Sequence, residues 1–380
     1  MPNICIRCVK DSSLKQLIND EGSLGECSLC SSNELVLDAE SRRFFQLTKA
    51  LVRFHYSEWD YNHHWGGNGY ASLFYGQDNR FFDEGRSKSD DAYEEIVLSI
   101  TDGAVYEEYD KGISVFSGYD SDGQQNMLLQ SISSDLNQSI LTIAERLKKE
   151  NHFNLESQVK DILEEYRVVG TTSIPVDNLL YRARVGFKER KRNISLGFEA
   201  EFHYVPHVGS DIGAPPPNLA MSGRVNRPGV SFLYCATDKH TAISEVRPHP
   251  GDRVSLAELR TNRNLSVFDL SDNKLHYFCD SDEALDKYRA FNTLGVLINK
   301  TIPPSERTHY SMTQLIADCI RQIGFDGIIF NSTVGSGKNI VIFDESLVDQ
   351  IQSNADIVLI SEVKYEYRKE YIVGDDDDYF

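Results

Sequence analysis

Phe232-Leu233-Tyr234-Cys235-Ala236-Thr237-Asp238-Lys239-His240-Thr241-Ala242-Ile243-Ser244-Glu245 decides the fold class of this chain. The apolar and aromatic run from Val230 to Cys235 predicts a strand. Asp238 is a helix N-cap residue type, and Ala242, Ile243 and Val246 follow it as an apolar stripe, so a helix is expected from Asp238 to Glu245. Outward from there, Asn178 to Val185 has strand character, with Tyr181 and Arg182 on opposite faces if it is extended. Leu265–Leu270 and Leu294–Ile298 read as further strands, and Thr313–Gly324 as a helix with Leu315, Ile316, Cys319 and Ile320 inward. Gly327–Phe330 and Asn339–Phe343 then look like strands around a glycine-containing turn. Short strands mixed with helices, without regular βαβ repeats, make the class α+β. No G-x-G-x-x-G follows a strand, which argues against a dinucleotide-binding dehydrogenase.

The polar residues in this region fall into short patterns. Tyr181-Arg182-Ala183-Arg184 opens it, Gly223-Arg224-Val225-Asn226-Arg227-Pro228-Gly229 follows, and Glu245 lies eleven residues after Tyr234. Asn331-Ser332-Thr333 and Gly337-Lys338-Asn339 close it. Guanidinium groups suit bidentate capture of phosphates, and a carboxylate suits a developing cation. Together they fit cleavage of a dinucleotide glycosidic bond. Taken singly, each has a plainer reading: an arginine beside a strand is usually a surface ion-pair residue, and a lone helical glutamate is usually solvated. Ser-His-Asp hydrolysis is disfavoured because no G-x-S-x-G elbow is present. His240 and His249 have no strong metal spacing and read as helix-surface histidines.

The order of these motifs over roughly residues 175–350 resembles the RES family, named for its arginine, glutamate and serine. The resemblance implies an ADP-ribosyltransferase-like mixed β core and, often, an NAD-degrading toxin or defence effector. Carried over, the family's arginines fall on Arg182 and Arg224, its tyrosine on Tyr234, its glutamate on Glu245 and its serine on Ser332. Glu245, Arg182 and Ser332 are then expected to be catalytic, and Arg182, Arg224, Tyr234, Asn226 and Asn339 to bind NAD+ as substrate. The expected reaction is hydrolysis or phosphorolysis of the nicotinamide–ribose bond. Two other classes stand beside it: transfer of ADP-ribose to a protein or nucleic acid, and a non-catalytic NAD-sensing or partner-binding module. The 41-residue interval between Arg182 and Arg224, with Pro215-Pro216-Pro217, exceeds that of compact family members, and is placed to form a lid or a partner surface.

At the other end, Cys5-x2-Cys8 and Cys27-x2-Cys30 are two close pairs separated by 18 residues. Two such pairs complete a tetrahedral sulfur site, and so short a unit would draw much of its folding free energy from structural Zn2+. Four thiolates leave no open position for catalysis. The boundaries expected are a zinc knuckle at 1–34, a mostly helical domain at 35–170, the RES-like domain at 171–355 and an acidic tail at 356–380. A helical pattern is read from Asn33 to Arg53, two helices between Gln124 and Tyr166, and a linker at Val168–Pro175. Longer family members carry a helical N-terminal domain described as related to HEPN domains. The Arg-x4–6-His ribonuclease signature is not evident in that region, so nuclease activity is not extended to it. His63 and His64 sit in an aromatic, glycine-rich stretch and read as loop residues rather than metal ligands.

The 380 residues exceed one ordinary domain, and 40% apolar residues can build real cores. A formal net charge of -19 argues against broad attraction to nucleic acid or anionic membranes, while leaving room for a local basic pocket. No long apolar run or signal segment is present, so a soluble, cytoplasmic protein is expected. Partners compatible with this reading are NAD+, an antitoxin or regulatory protein, and a second copy of the chain. The Gly374–Phe380 end, rich in aspartate, reads as a solvated tail.

Overall fold

A computed structural model describes residues 2–61, 66–68, 74, 81–102, 130–193, 201–302, 310–367 and 369. His63, His64 and the Gly374–Phe380 end lie outside the described residues. The chain divides into two compact units. One comprises Met1–Thr171 and Leu270–Cys319, the other Thr172–Asp269 and Ile320–Phe380.

In the first unit, strands β1 (Asn3–Cys5), β2 (Ser23–Glu26) and β3 (Asn33–Asp38) form an antiparallel sheet ordered β1-β3-β2. The helix Ser12–Glu21 starts where the Asp11 carboxylate accepts the Ser13 and Leu14 amides. The helical reading from Asn33 is corrected. Leu35 and Leu37 belong to a strand, and the helix starts at Arg42, where the Ser41 hydroxyl accepts the Phe44 amide. The sequence between them, Asp38-Ala39-Glu40-Ser41, ends one element and caps the next. Leu294–Ile298, read as a strand, lies inside the helix Asp282–Asn299. Leu285, Tyr288, Phe291, Leu294 and Ile298 are its buried apolar residues at three- and four-residue steps, so the longer helical period overrides the short apolar run. The helices expected before Tyr166 are present among the described residues as Gln138–Arg146 and Glu156–Glu165.

The second unit is built on a nine-stranded sheet. Strands β4 (Thr171–Ile174), β5 (Leu179–Val185), β8 (Leu233–Ala236), β9 (Arg253–Thr261), β10 (Leu265–Asp269), β11 (Gly327–Asn331), β12 (Lys338–Ile342) and β13 (Val348–Gln350) lie in the order β13-β9-β5-β8-β12-β11-β10-β4. Strand β14 (Asp356–Leu359) also pairs with β9. Strands β6 (Glu189–Asn193) and β7 (Glu201–Val205) make a separate two-stranded sheet. Thr171–Ile174, expected as linker, is a sheet strand: its β-branched residues suit extended backbone. β10 and β11 run parallel, whereas β5–β9, β8–β12 and β11–β12 are antiparallel.

Alternation along these strands separates two faces. Leu180, Leu233, Cys235, Leu259, Ile340 and Ile342 share one buried cluster. Full burial of each branched aliphatic is worth about 1.5–3 kcal/mol. Ala183, Ala236, Val254 and Leu256 form a cluster with Ala242 of the helix Lys239–Glu245. The small side chains at Ala183, Ala236 and Ala242 let that short helix approach the sheet closely. That approach fixes where its last residue, Glu245, ends up.

Candidate functional site

The helix Lys239–Glu245 is held at its start by Asp238, whose carboxylate accepts the Thr241 amide at 2.8 Å and the Thr241 hydroxyl at 2.7 Å. Burial pushes the Asp238 carboxyl up, but the hydrogen bonds from Thr241 and Thr237 outweigh it and the net shift is downward. The loop after β11 packs on the same turn. The Gly337 amide donates to the Thr241 hydroxyl at 3.0 Å, and a Cβ at Gly337 would lie 1.9 Å from Asp238 Oδ2. A Cβ at Gly335 would lie 2.7 Å from Thr241 Oγ1, so both glycines are required by close approach. The loop's path therefore follows from the helix start.

At the other end of this helix, Glu245 Oε1 accepts the Ser332 hydroxyl at 2.7 Å and the Asn339 side-chain amide at 2.6 Å. Ser332 Oγ in turn accepts the Val334 and Gly335 amides at 3.2 and 2.9 Å. Asn339 is buried and Glu245 is exposed. Both donors converge on Oε1, and both are neutral. Among the described residues no cation pairs with Glu245 and no donor reaches Oε2, which leaves an ionisable oxygen open at the surface.

Strand register places the remaining residues. Asn339 lies opposite both Ala236 and Phe330, and Tyr234 lies opposite Val341, so Asn339, Phe330 and Tyr234 share a face. The Arg224 guanidinium carbon is 5.8 Å from the centre of the Phe330 ring. The Tyr234 hydroxyl donates to Asn226 Oδ1 at 2.7 Å and accepts the Val225 amide at 3.2 Å. Asn226 Nδ2 donates to the carbonyls of Met221, Arg227 and Val230. Tyr234 and Asn226 thus staple the Gly223–Gly229 loop and set Arg224 over Phe330.

Arg182 is not brought to this face. Tyr181 lies opposite Ala236, so Tyr181 shares the Asn339 face and Arg182 points the other way. Its three nitrogens donate to the carbonyls of Ile212, Tyr234 (2.6 Å) and Gly213 (3.0 Å). Burial lowers its pKa, partly countered by the buried Cys235 and by Glu345. The Cys235 thiol beside it is itself pushed up to about 12 by burial. Each of the guanidinium's three nitrogens is engaged by a main-chain oxygen.

The residue-type reading did not reach the role of Thr241 and Asp238 in seating the 332–337 loop. A signal was available: Asp238-x2-Thr241 is a capping spacing, and two glycines two positions apart in Gly335-Ser336-Gly337-Lys338 mark a close backbone approach. Strand β9, which pairs with β5, β13 and β14, was also not anticipated.

In the other unit, Cys5, Cys8, Cys27 and Cys30 come together with their sulfurs within 4.8 Å of one another. Cys5–Cys30 and Cys8–Cys27 are 3.8 and 3.9 Å apart. Four sulfurs about 2.3 Å from a zinc ion would have edges of about 3.8 Å. The thiols compete for protons: Cys27, hydrogen-bonded by Cys8 and by backbone amides, is lowered to about 4, while Cys8 and the buried Cys5 are raised. The donor set fits a soft, tetrahedral dication.

Residues 179–360 match the RES domain family. The matched RES segment contains every site residue from Arg182 to Asn339. No curated protein matches this sequence. Among solved structures, the M. tuberculosis MbcT–MbcA toxin–antitoxin complex matches at 12% identity and a TM-score of 0.30, covering 53% of this chain and 92% of that one. A likeness that distant carries no argument here. Among the described residues, no helix is long and apolar enough to cross a membrane.

Proposed function

We propose that the RES segment cleaves the nicotinamide–ribose bond of NAD+. The observation that carries the reading is Glu245, a carboxylate fixed through Oε1 by Ser332 and Asn339 with, among the described residues, Oε2 open and no cation beside it. As the C–N bond at C1″ breaks, its electron pair leaves with neutral nicotinamide and positive charge develops on the ribose. Glu245 Oε2 faces that charge, or takes a ribose hydroxyl proton in a hydrogen bond. Water or inorganic phosphate then bonds to C1″, with water's proton released to solvent. The products are ADP-ribose or its 1″-phosphate.

Ser332 and Asn339 act as positioning residues for Glu245. Arg224, set by Tyr234 and Asn226, is the guanidinium on the Glu245 side of the sheet and takes the pyrophosphate role. Arg182 serves from behind the strand, fixing the 212–213 main chain and the Tyr234 carbonyl. Cys5, Cys8, Cys27 and Cys30 hold structural Zn2+, which when bound supplies folding free energy to its small sheet.

Purified protein is incubated with NAD+, with and without phosphate, beside Glu245→Gln, and nicotinamide and ribosyl products are followed by mass spectrometry. Nicotinamide release lost in the variant is expected. Label that appears instead on a protein or RNA acceptor assigns transfer, and nicotinamide release undiminished in Glu245→Gln overturns the reading. Metal analysis of the untreated protein is expected to give one zinc per chain, lost in Cys27→Ser.

A further inference from the structure

The interval between Arg182 and Arg224 contains the β6–β7 hairpin, whose residues the NAD reading does not use. Its register sets Arg190 opposite Tyr204 and Arg192 opposite Phe202, so these four share one face. The Arg190 guanidinium carbon lies 4.2 Å from the centre of the Phe202 ring, and that of Arg253 lies 4.0 Å from the centre of the Tyr204 ring. Phe187 meets Tyr204 edge-on at 4.8 Å. The lysines of the hairpin have acidic neighbours: Lys188 reaches Asp211 at 3.0 Å and Lys191 reaches Glu189 at 3.6 Å. Arg190, Arg192 and Arg253 have no carboxylate in ion-pair reach among the described residues. In a chain with 58 acidic and 39 basic residues, three such arginines on one aromatic face are not an accident of composition.

Stacking occupies the flat side of a guanidinium and leaves its N–H edges outward in fixed orientation, which suits bidentate capture of carboxylates or phosphates. The two-stranded sheet also has no third strand on either side among the described residues, so its outer edges carry main-chain groups for strand addition. We propose that this hairpin docks an extended acidic peptide segment of a partner protein, with carboxylates at alternate positions against Arg190, Arg192 and Arg253. Alternate residues of an extended strand repeat about every 6.8 Å, the same step that separates Arg190 from Arg192. A nucleic acid fits less well. Its continuous phosphate charge would extend past three arginines onto a chain of net charge -19.

The test uses the full chain and a fluorescent peptide of about ten residues alternating Asp and Val, followed by anisotropy at an ionic strength of about 0.15 M. A peptide with Asn replacing Asp and a single-stranded RNA of similar length are run beside it. Saturable binding of the Asp peptide is expected. Arg192→Gln should weaken it on the order of tenfold, and Arg190→Gln with Arg192→Gln should abolish it. Arg192 makes no ring contact among the described residues, so its variant leaves the Arg190–Phe202 and Arg253–Tyr204 packing in place, and unchanged NAD turnover checks that the fold persists. Equal binding by the double variant, equal binding of the Asn peptide, or binding of RNA alone would each overturn the proposal. So would self-association through this face without peptide binding.

Discussion

Glu245 and Asp282 are both carboxylates met by two side-chain donors, and the donors set them apart. Asp282 is fully buried, with Lys49 Nζ and Arg53 Nη1 each 3.4 Å from one of its oxygens. Lys49 and Arg53 are buried too, and Asp286 lies 3.7 Å from Arg53 Nη2. Asp282, Lys49 and Arg53 are all out of water, so their charges must compensate one another, while Asp286 stays partly exposed. Glu245 is exposed, its donors are an alcohol and an amide, and both sit on one oxygen. A carboxylate neutralised by buried cations ties the helix Arg42–His55 to the helix Asp282–Asn299. One restrained by neutral donors on a single oxygen is held in place without a cation among the described residues.

That contrast has consequences that differ in kind. Asp282→Ala removes the buried carboxylate that two buried cations share and is expected to destabilise the first unit by about 3–5 kcal/mol, read as a lower midpoint in urea unfolding. Glu245→Gln should leave that midpoint unchanged while lowering kcat for nicotinamide release about 10²–10³-fold, about 3–4 kcal/mol of barrier. If Asp282→Ala left stability intact, or if Glu245→Gln unfolded the protein, the division between a structural and a chemical carboxylate would fail. A smaller effect belongs to Asn339→Ala. It removes one of two donors to Oε1, so kcat should fall on the order of tenfold with KM for NAD+ little changed. A rise in KM with kcat preserved would instead make Asn339 a substrate contact.

Much of the second unit was legible because its signals are local. Asp238 caps the helix expected there, and the strands around Tyr234, Phe330 and Val341 are short apolar runs of the kind a sheet buried on both faces requires. Strand alternation also forecast that Tyr181 and Arg182 face opposite ways, although which of them joins Glu245 depends on pairing with Ala236, more than fifty residues away. Nothing near Arg182 in sequence announces the carbonyls of Ile212 and Gly213 that consume it. Leu294–Ile298 was misread for a related reason: five apolar-rich residues fit a strand or a buried helical turn equally, and only Leu285, Tyr288 and Phe291 upstream decide. The pairing of Asp282 with Lys49 and Arg53 spans more than 220 positions and has no local trace.

Asp238 stands between the two carboxylates. It is part-buried like neither of them, and its partners are an amide and two hydroxyls rather than cations. Because its folded pKa lies below its ordinary value of 3.8, its ionised form is preferred in the folded state. The stability it contributes is therefore present above its unfolded pKa and lost as pH falls through the lower, folded one. Asp238→Asn keeps a capping side chain but gives up the charge at a helix start, a loss of less than about 1 kcal/mol. Wild type should thus melt slightly above Asp238→Asn near neutral pH, and the gap should close in acid, below the ordinary carboxylate range. A gap that persisted there would assign the difference to the geometry of the cap rather than to its charge. It would leave the charge-free setting of Glu245 as a local property of that one oxygen, not of the helix that carries it.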